Sequence, residues 1–164
     1  MLLTALKWIA VAAVLLALAT VVAARLGAFA GSAPQNLGVK DGRLKPPSRT
    51  PNSVSSQADL YPDHPQREYA RIEPFPLQGD AAASIARLRA IVEGMPGTAV
   101  VKAEAGYLYA QCTTWLMRYV DDLEFWADPA AGVVHVRSAS RVGRRDYGVN
   151  RERVEAIRAK YLQR

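Results

Sequence analysis

The sequence predicts an α+β domain: an antiparallel sheet of about five strands with two helices on one face (β-α-β-β-β-β-α), preceded by an N-terminal transmembrane helix. Three observations predict it. The seventeen residues Trp8–Ala24 carry no charge, apolar residues recur at helical spacing after Asp80, and four strand-like stretches follow one another between Thr98 and Ala139. Consecutive strands without intervening helices favour an antiparallel sheet, and its apolar face must then be covered by the helices.

The first segment, residues 1–30, is predicted to be a transmembrane anchor or a signal segment. With its flanks the apolar run reaches bilayer-spanning length, and it exceeds the roughly 7–15 residues of a signal-peptide core. Ala28-Phe29-Ala30 resembles a cleavage site, so both interpretations stay open, and the uncleaved anchor is preferred.

Flanking charge leaves the orientation of this segment poorly specified. Lys7 precedes it, whereas Arg25, Lys40 and Arg43 follow it, which does not favour a cytoplasmic N-terminus. A single N-terminal apolar segment is nevertheless the usual export arrangement. We therefore expect one pass through the cytoplasmic (inner) membrane, with the domain facing the periplasm.

Residues 31–66 form a Pro/Ser-rich linker expected to pack on the domain, and residues 67–164 form the α+β domain itself. Arg67–Leu77 alternates and is predicted to be the first strand. Asp80 is predicted to cap a helix that ends near Gly94.

Four more strands are predicted at Thr98–Ala103, Tyr107–Trp115, Tyr119–Ala127 and Gly132–Ala139, and a last helix at Arg151–Leu162 with Asn150 as its N-cap. In the last hairpin, apolar alternation predicts Phe125 opposite Val134 and Leu123 opposite Val136. The same register pairs Glu124 with His135, Asp122 with Arg137, and Asp121 with Ser138.

The positive charge is concentrated at the C-terminal end. From Arg137 onward there are nine Lys/Arg and three Asp/Glu, so this quarter accounts for the whole net charge of +6. An anionic partner is one explanation, either an anionic lipid or phosphate or an acidic protein; a solvated helix face is the other. No nucleic acid is expected, because the basic residues are not interleaved with aromatics. The single Cys112 and two histidines predict no disulfide, metal or cofactor.

Candidate ligand-binding residues surround the predicted start of the last helix, where exposed N–H groups and arginines can hold an anion. They are Arg137, Ser138, Ser140, Arg141, Asp146, Asn150, Arg151, Asp121 and Asp122. Asp146 also has a purely structural interpretation, because its carboxylate can accept those N–H groups or pair with Arg141. Asp121, on the helix side, is interpreted as a brace to Arg141 or to backbone near Asp146 rather than as a general base.

Catalysis is not favoured. No serine lies in a G-x-S-x-G or S-x-x-K context, and strand alternation puts His135 and Ser138 on opposite faces. A hydrolase using Asp121 and Ser138, and a structural or assembly subunit of a membrane complex, remain alternatives to a non-catalytic binding module. The outer sheet face, with Tyr107, Tyr109 and Trp115, is either covered by the linker or binds a ligand.

Several stretches resemble one family. D-D-L-E-F at Asp121–Phe125, the arginine-rich run Ser138–Arg158, L-G-V-K-D-G-R-L at Leu37–Leu44 and P-N-S-V-S-S-Q-A at Pro51–Ala58 are similar to the domain of unknown function 1499 family. The last stretch holds the linker motif Asn52, Ser53, Ser55 and Ser56. The resemblance implies an N-terminal membrane or export segment, with plastid relatives expected in the thylakoid lumen, but no activity. Many relatives carry cysteines where this chain has Pro47 and Ser53, so a linker disulfide that the family allows is absent here.

Overall fold

The computed structural model describes residues 1–163 and confirms the α+β class. The helices are α1 (Leu2–Arg25), α2 (Arg67–Ala70), α3 (Ala81–Glu93) and α4 (Val149–Leu162). The strands are β1 (Ser53–Ser55), β2 (Phe75–Pro76), β3 (Thr98–Glu104), β4 (Tyr107–Thr113), β5 (Val120–Asp128) and β6 (Val133–Ser140), with a 3-10 turn at Ala58–Leu60. They form one antiparallel sheet in the order β1-β6-β5-β4-β3, and β2 pairs with β6 beside β1.

The core lies between the sheet and the pair α3 and α4. Alternation along β4 and β5 points Leu108, Leu123 and Phe125 at the helices. Each of the two helices carries apolar residues at spacings of three and four, and this stripe packs on the sheet through residues such as Leu88 of α3 and Ile157 of α4. As predicted, Asp80 caps α3, its side chain accepting the N–H of Ala83 at 2.7 Å.

The prediction of a first strand over Arg67–Leu77 is wrong for most of its length. The segment begins as α2 and is extended only at Phe75–Pro76. Tyr69 turns its hydroxyl toward Asp146 and Ala70 is buried. These tertiary contacts outweigh a short local alternation, which is a weak strand signal.

The predicted hairpin register is wrong by two residues. Phe125 faces Val136, Glu124 faces Arg137, and Asp122 faces Ala139. The ladder continues to Asp128, whose Oδ1 accepts the N–H groups of Ala130 and Ala131 and so closes the turn. Faces are kept, because a shift of two preserves alternation, but every cross-strand partner changes.

Residues 38–46 of the predicted linker lie against the outer face of the sheet, whereas Ser53–Ser55 of the same segment form strand β1 within it. The N–H of Gly38 donates to Glu124 Oε1 at 2.8 Å, and Arg137 Nε donates to the carbonyl of Pro46 at 3.2 Å. Gln57 holds the segment together by bonding the backbone of Leu44 and Gly42. Glu124 is consequently fully buried on what would otherwise be a solvent face.

The apolar helix α1 leads into one particular end of the sheet. It is long and apolar enough to cross a membrane, and a signal sequence meets the same criteria. Ala24 in its last turn is buried, and the ring of Phe29 lies 5.7 Å from that of Tyr119. A Cβ on Gly31 would lie 2.8 Å from Arg141 Cβ and 2.9 Å from Val142 Cγ1. The chain thus leaves α1 where β4 ends, β5 begins and β6 ends.

Candidate anion-binding cleft

The structure divides the predicted site residues among three places. Asp121, Ser138, Ser140, Asp146 and Asn150 lie on the helix side of the sheet, around the start of α4. Asp122, Arg137 and Arg141 lie on the outer face. Arg151 lines an open cleft beside α4.

On the helix side, the polar residues are tied into one buried network. Arg153, which sequence reasoning missed, donates to Asp121 Oδ2 at 2.6 Å and to Asn150 Oδ1 at 2.8 Å. Ser138 Oγ donates to the same Asn150 oxygen at 2.5 Å. Asp121 is therefore braced as predicted, but by Arg153 rather than by Arg141 or by backbone near Asp146. It also faces Ser140 across the strands, not Ser138.

Asn150 is not the N-cap of the last helix. The cap position is Gly148, at φ +89°, and Asn150 is buried inside the first turn of α4. Its Nδ2 reaches the carbonyl of Asn52 at 3.2 Å and Ser140 Oγ at 3.0 Å. Because these partners lie on β6 and in the linker, Asn150 holds α4 against the sheet instead of capping the start of the helix.

Asp146 fills the start of α4 with a carboxylate from the chain itself. It accepts the N–H groups of Gly148 at 3.1 Å and Asn150 at 3.3 Å, and also the hydroxyl of Tyr69. Burial raises the pKa of Asp146, but these hydrogen bonds outweigh it and hold that pKa below its usual value. An external anion is therefore not held by the helix N–H groups.

On the outer face, Arg141 and Arg137 each lie next to a carboxylate of the sheet. Arg141 forms a two-pronged pair with Asp122, Nη2 to Oδ1 at 2.7 Å and Nε to Oδ2 at 3.0 Å. The hydroxyl of Tyr109 donates to the same Asp122 at 2.6 Å. Arg137 lies 3.6 Å from Glu124. Of the two structural roles considered for Asp146, its carboxylate accepts the N–H groups and does not pair with Arg141, which is bound to Asp122 instead.

The linker serines are structural acceptors in this region. Ser53 Oγ accepts the N–H of Ser48 and Ser55 Oγ that of Gln57. Asn52 donates to the carbonyl of Gly143 at 2.8 Å. The linker motif therefore shapes its own turn and holds the loop that follows β6.

One serine and one histidine approach each other in a way that suggests catalysis. Ser56 Oγ lies 3.2 Å from His135 Nδ1, and His135 Nε2 lies 3.9 Å from Asp128. The second distance exceeds a hydrogen bond. The Ser56 oxygen also accepts the N–H of Val136 at 2.9 Å, which makes it a strand-edge anchor rather than an activated nucleophile.

An open cleft of about 1000 Å³ lies between the linker, α2 and the loop from β6 to α4. Four arginines line it: Arg49, Arg144, Arg145 and Arg151. Within the described chain, the first three make no ion pair. The Nη2 group of Arg151 donates to the carbonyls of Tyr69 and Arg71, and these hydrogen bonds fix the guanidinium at the cleft wall.

The rim of the cleft also carries a strained aromatic residue. Tyr147 is 88% exposed and its backbone is left-handed, at φ +53°. That conformation costs a non-glycine residue about 1–2 kcal/mol. Strain of this kind concentrates at binding sites, and here it turns a tyrosine outward beside Arg144 and Arg145.

Sequence reasoning missed Arg49, Gln66 and Tyr69 as cleft residues. Arg49 lies in the linker and the other two in or beside α2. Nothing local marks them, because only the folding of residues 31–66 onto the domain brings them to the cleft. The arginine excess near α4 was the signal that located the remaining wall.

Comparison with known families gives one match. The model of the family described as "Protein of unknown function (DUF1499)" matches residues 43–161, which include the linker motif, the cleft and the α+β domain as far as Tyr161 in α4. Neither the curated proteins nor the solved structures gave a significant match.

Proposed function

Since the chain belongs to the DUF1499 family, whose description names no activity, we propose its function from the site: a membrane-anchored, non-catalytic module that binds a phosphate-bearing anion in the cleft between Arg49 and Arg151. The anchor is α1, and the domain faces the periplasm. The ligand class is an anionic lipid headgroup or a soluble phosphate compound, since both present the same charged oxygens to arginine.

Three arginines that make no ion pair among residues 1–163 carry this proposal. Arg49, Arg144 and Arg145 are all exposed, and they come from two separate parts of the chain to one cleft. Like charges that converge without acidic partners repel one another, which costs stability unless a bound anion offsets it. A guanidinium suits phosphate because its N–H groups match two phosphate oxygens at once.

The position of the cleft supports a lipid source. Gly143, Arg144 and Arg145 follow directly on Val142, which packs against Gly31 just beyond α1. If α1 crosses the bilayer, this loop lies close to the headgroup layer, where basic residues gain about 1 kcal/mol each from anionic lipid.

Thermal unfolding of the full chain in a neutral detergent tests the proposal. The probes are dihexanoyl-phosphatidylglycerol, dihexanoyl-phosphatidylcholine and inorganic phosphate. A ligand at one hundred times its Kd stabilises by about 2.7 kcal/mol, which raises Tm by about 5–11 °C for a chain of this size. A shift with phosphatidylglycerol alone indicates lipid, and a comparable shift with inorganic phosphate indicates a soluble phosphate compound.

Matched variants separate the cleft from general charge. Arg144→Gln/Arg145→Gln should weaken binding about thirtyfold, since two contacts of about 1 kcal/mol each are lost. Arg89→Gln/Lys160→Gln removes the same charge from exposed positions outside the cleft and should leave Kd unchanged. Equal losses in both doubles, or no shift with any probe (as expected if the cleft receives an acidic protein), would overturn the proposal.

A further inference from the structure

The loop between β4 and β5 exposes a group of large apolar side chains. Trp115 is 78% exposed and Leu116 is 46% exposed, and Tyr119 beside them is also open to solvent. Single exposed apolar residues are ordinary, but three within five positions form a patch that needs an apolar or interfacial partner.

The loop is held in shape rather than loose. Thr114 and Tyr119 close it with two hydrogen bonds of 2.9 Å, from the N–H of Thr114 to the carbonyl of Tyr119 and from the N–H of Tyr119 to Thr114 Oγ1. Arg118 has a left-handed backbone, at φ +58°. The apolar side chains therefore project from a fixed turn.

This loop lies beside the exit of α1. Phe29 contacts Tyr119, and Ala24 in the last turn of α1 is buried. A helix of 24 residues spans about 36 Å at 1.5 Å per residue, against a hydrocarbon thickness of about 30 Å. Because Ala24 is buried and Phe29 already contacts the domain, only a few residues separate the end of α1 from the domain.

We propose that the β4–β5 loop inserts into the interfacial layer of the same membrane that α1 spans. Trp115 and Leu116 then lie at the boundary between the headgroups and the acyl chains, and Arg118 lies at the level of the phosphates. Tryptophan and tyrosine favour this layer because each has an apolar body and a polar tip. The inference rests on the anchoring part of the proposed function, but not on any ligand in the cleft. It fixes the tilt of the domain, with the sheet end that carries Arg144 and Arg145 turned to the lipid.

The test uses an environment-sensitive fluorophore on the full chain in vesicles of phosphatidylcholine and phosphatidylglycerol. The background is Cys112→Ala, since Cys112 is the single cysteine and is buried. One variant carries the label at Leu116→Cys. The control carries it at Ala130→Cys, an exposed turn at the opposite end of β5, about 26 Å away along the strand.

We expect the label at position 116 to brighten several-fold in vesicles, to be quenched by brominated lipids and to be protected from iodide. The label at position 130 should behave as in water. Adding Trp115→Asp, at a side chain too exposed to matter for folding, should reduce the lipid quenching at position 116. If the vesicles float with protein but position 116 responds like position 130, the inference is wrong while the anchor stands. If no protein floats with the vesicles, the anchor and the inference both fail.

Discussion

Removing Arg153 should destabilise the protein more than removal of any exposed charge. Its guanidinium contacts Asp121 Oδ2 at 2.6 Å, and the two side chains are only 10% and 5% exposed. Within the described residues, that contact is the only hydrogen bond to the Asp121 side chain. Arg153→Met therefore leaves a buried carboxylate without a partner.

The magnitude follows from burial. Breaking a buried ion pair by removing one partner costs about 3–5 kcal/mol. At about 2–4 °C per kcal/mol for a chain of this size, Tm should fall by about 6–20 °C. The pair Arg89–Glu93 has a similar contact distance, 2.7 Å against 2.6 Å for Arg153–Asp121, but its side chains are 52% and 47% exposed. Arg89→Met should thus change stability by about 0.5 kcal/mol or less.

A double variant tests the reasoning itself. Asp121→Val/Arg153→Met removes both charges, and an apolar replacement of a buried pair is often neutral or stabilising. Its Tm should recover most of the loss seen in Arg153→Met. The assay is thermal unfolding of the full chain in detergent, followed by tryptophan fluorescence at pH 7 and one scan rate. A Tm for Arg153→Met equal to that of Arg89→Met would refute the argument, as would a double variant no more stable than the single.

Two further predictions concern turns, one at the start of α4 and one between α3 and β3. Asp146→Asn should cost about 1–3 kcal/mol at pH 7, since the hydrogen bonds from Tyr69 and the start of α4 are then made to a neutral group. Because the folded-state pKa of Asp146 is lowered, its stabilisation is complete above the unfolded pKa of about 3.9 and is lost as pH falls through the folded one; Tm curves of wild type and variant should converge in acid, and a gap independent of pH would contradict this. Gly97→Ala should cost about 2 kcal/mol or more, because φ is +72° and the new Cβ would lie 2.4 Å from Thr113 O. Gly106→Ala, where nothing lies within 4 Å, is the control, and equal Tm values for the two alanine variants would count against the steric argument.

Strands β3 to β6 and the helices α3 and α4 were predictable because their signals are local, whereas β1 and α2 were not predicted. Asp80, as an N-cap residue, predicts where α3 begins, and alternation along β5 assigns each side chain to the correct face of the sheet. The register was not predictable, because a shift of two residues preserves every face. Only the closing of the turn by Asp128 decides it.

Only the general location of the candidate site was predictable from the sequence. Charge counting located the arginine surplus near α4, since composition is read directly from sequence. It could not tell which arginines are used internally: Arg141 pairs with Asp122 across the sheet end, whereas Arg144 makes no ion pair with any residue that the structure describes. Nor could it place Arg49, since a segment without periodicity gives no sign of where it will pack.

The acidic stretch Asp121-Asp122-Leu123-Glu124 explains how the basic quarter divides. Alternation along β5 sends Asp121 toward α4 and the other two carboxylates to the outer face. Each then meets one arginine of the C-terminal quarter: Asp121 meets Arg153, Asp122 meets Arg141 and Glu124 meets Arg137. Three of the positive charges that suggested a partner are therefore structural, and each would cost stability if its carboxylate were removed. Arg144 and Arg145 have no such carboxylate in the described chain. Because they lie with Arg49 at one cleft near the end of α1, they are the residues to which the anion proposed above would supply a counter-charge.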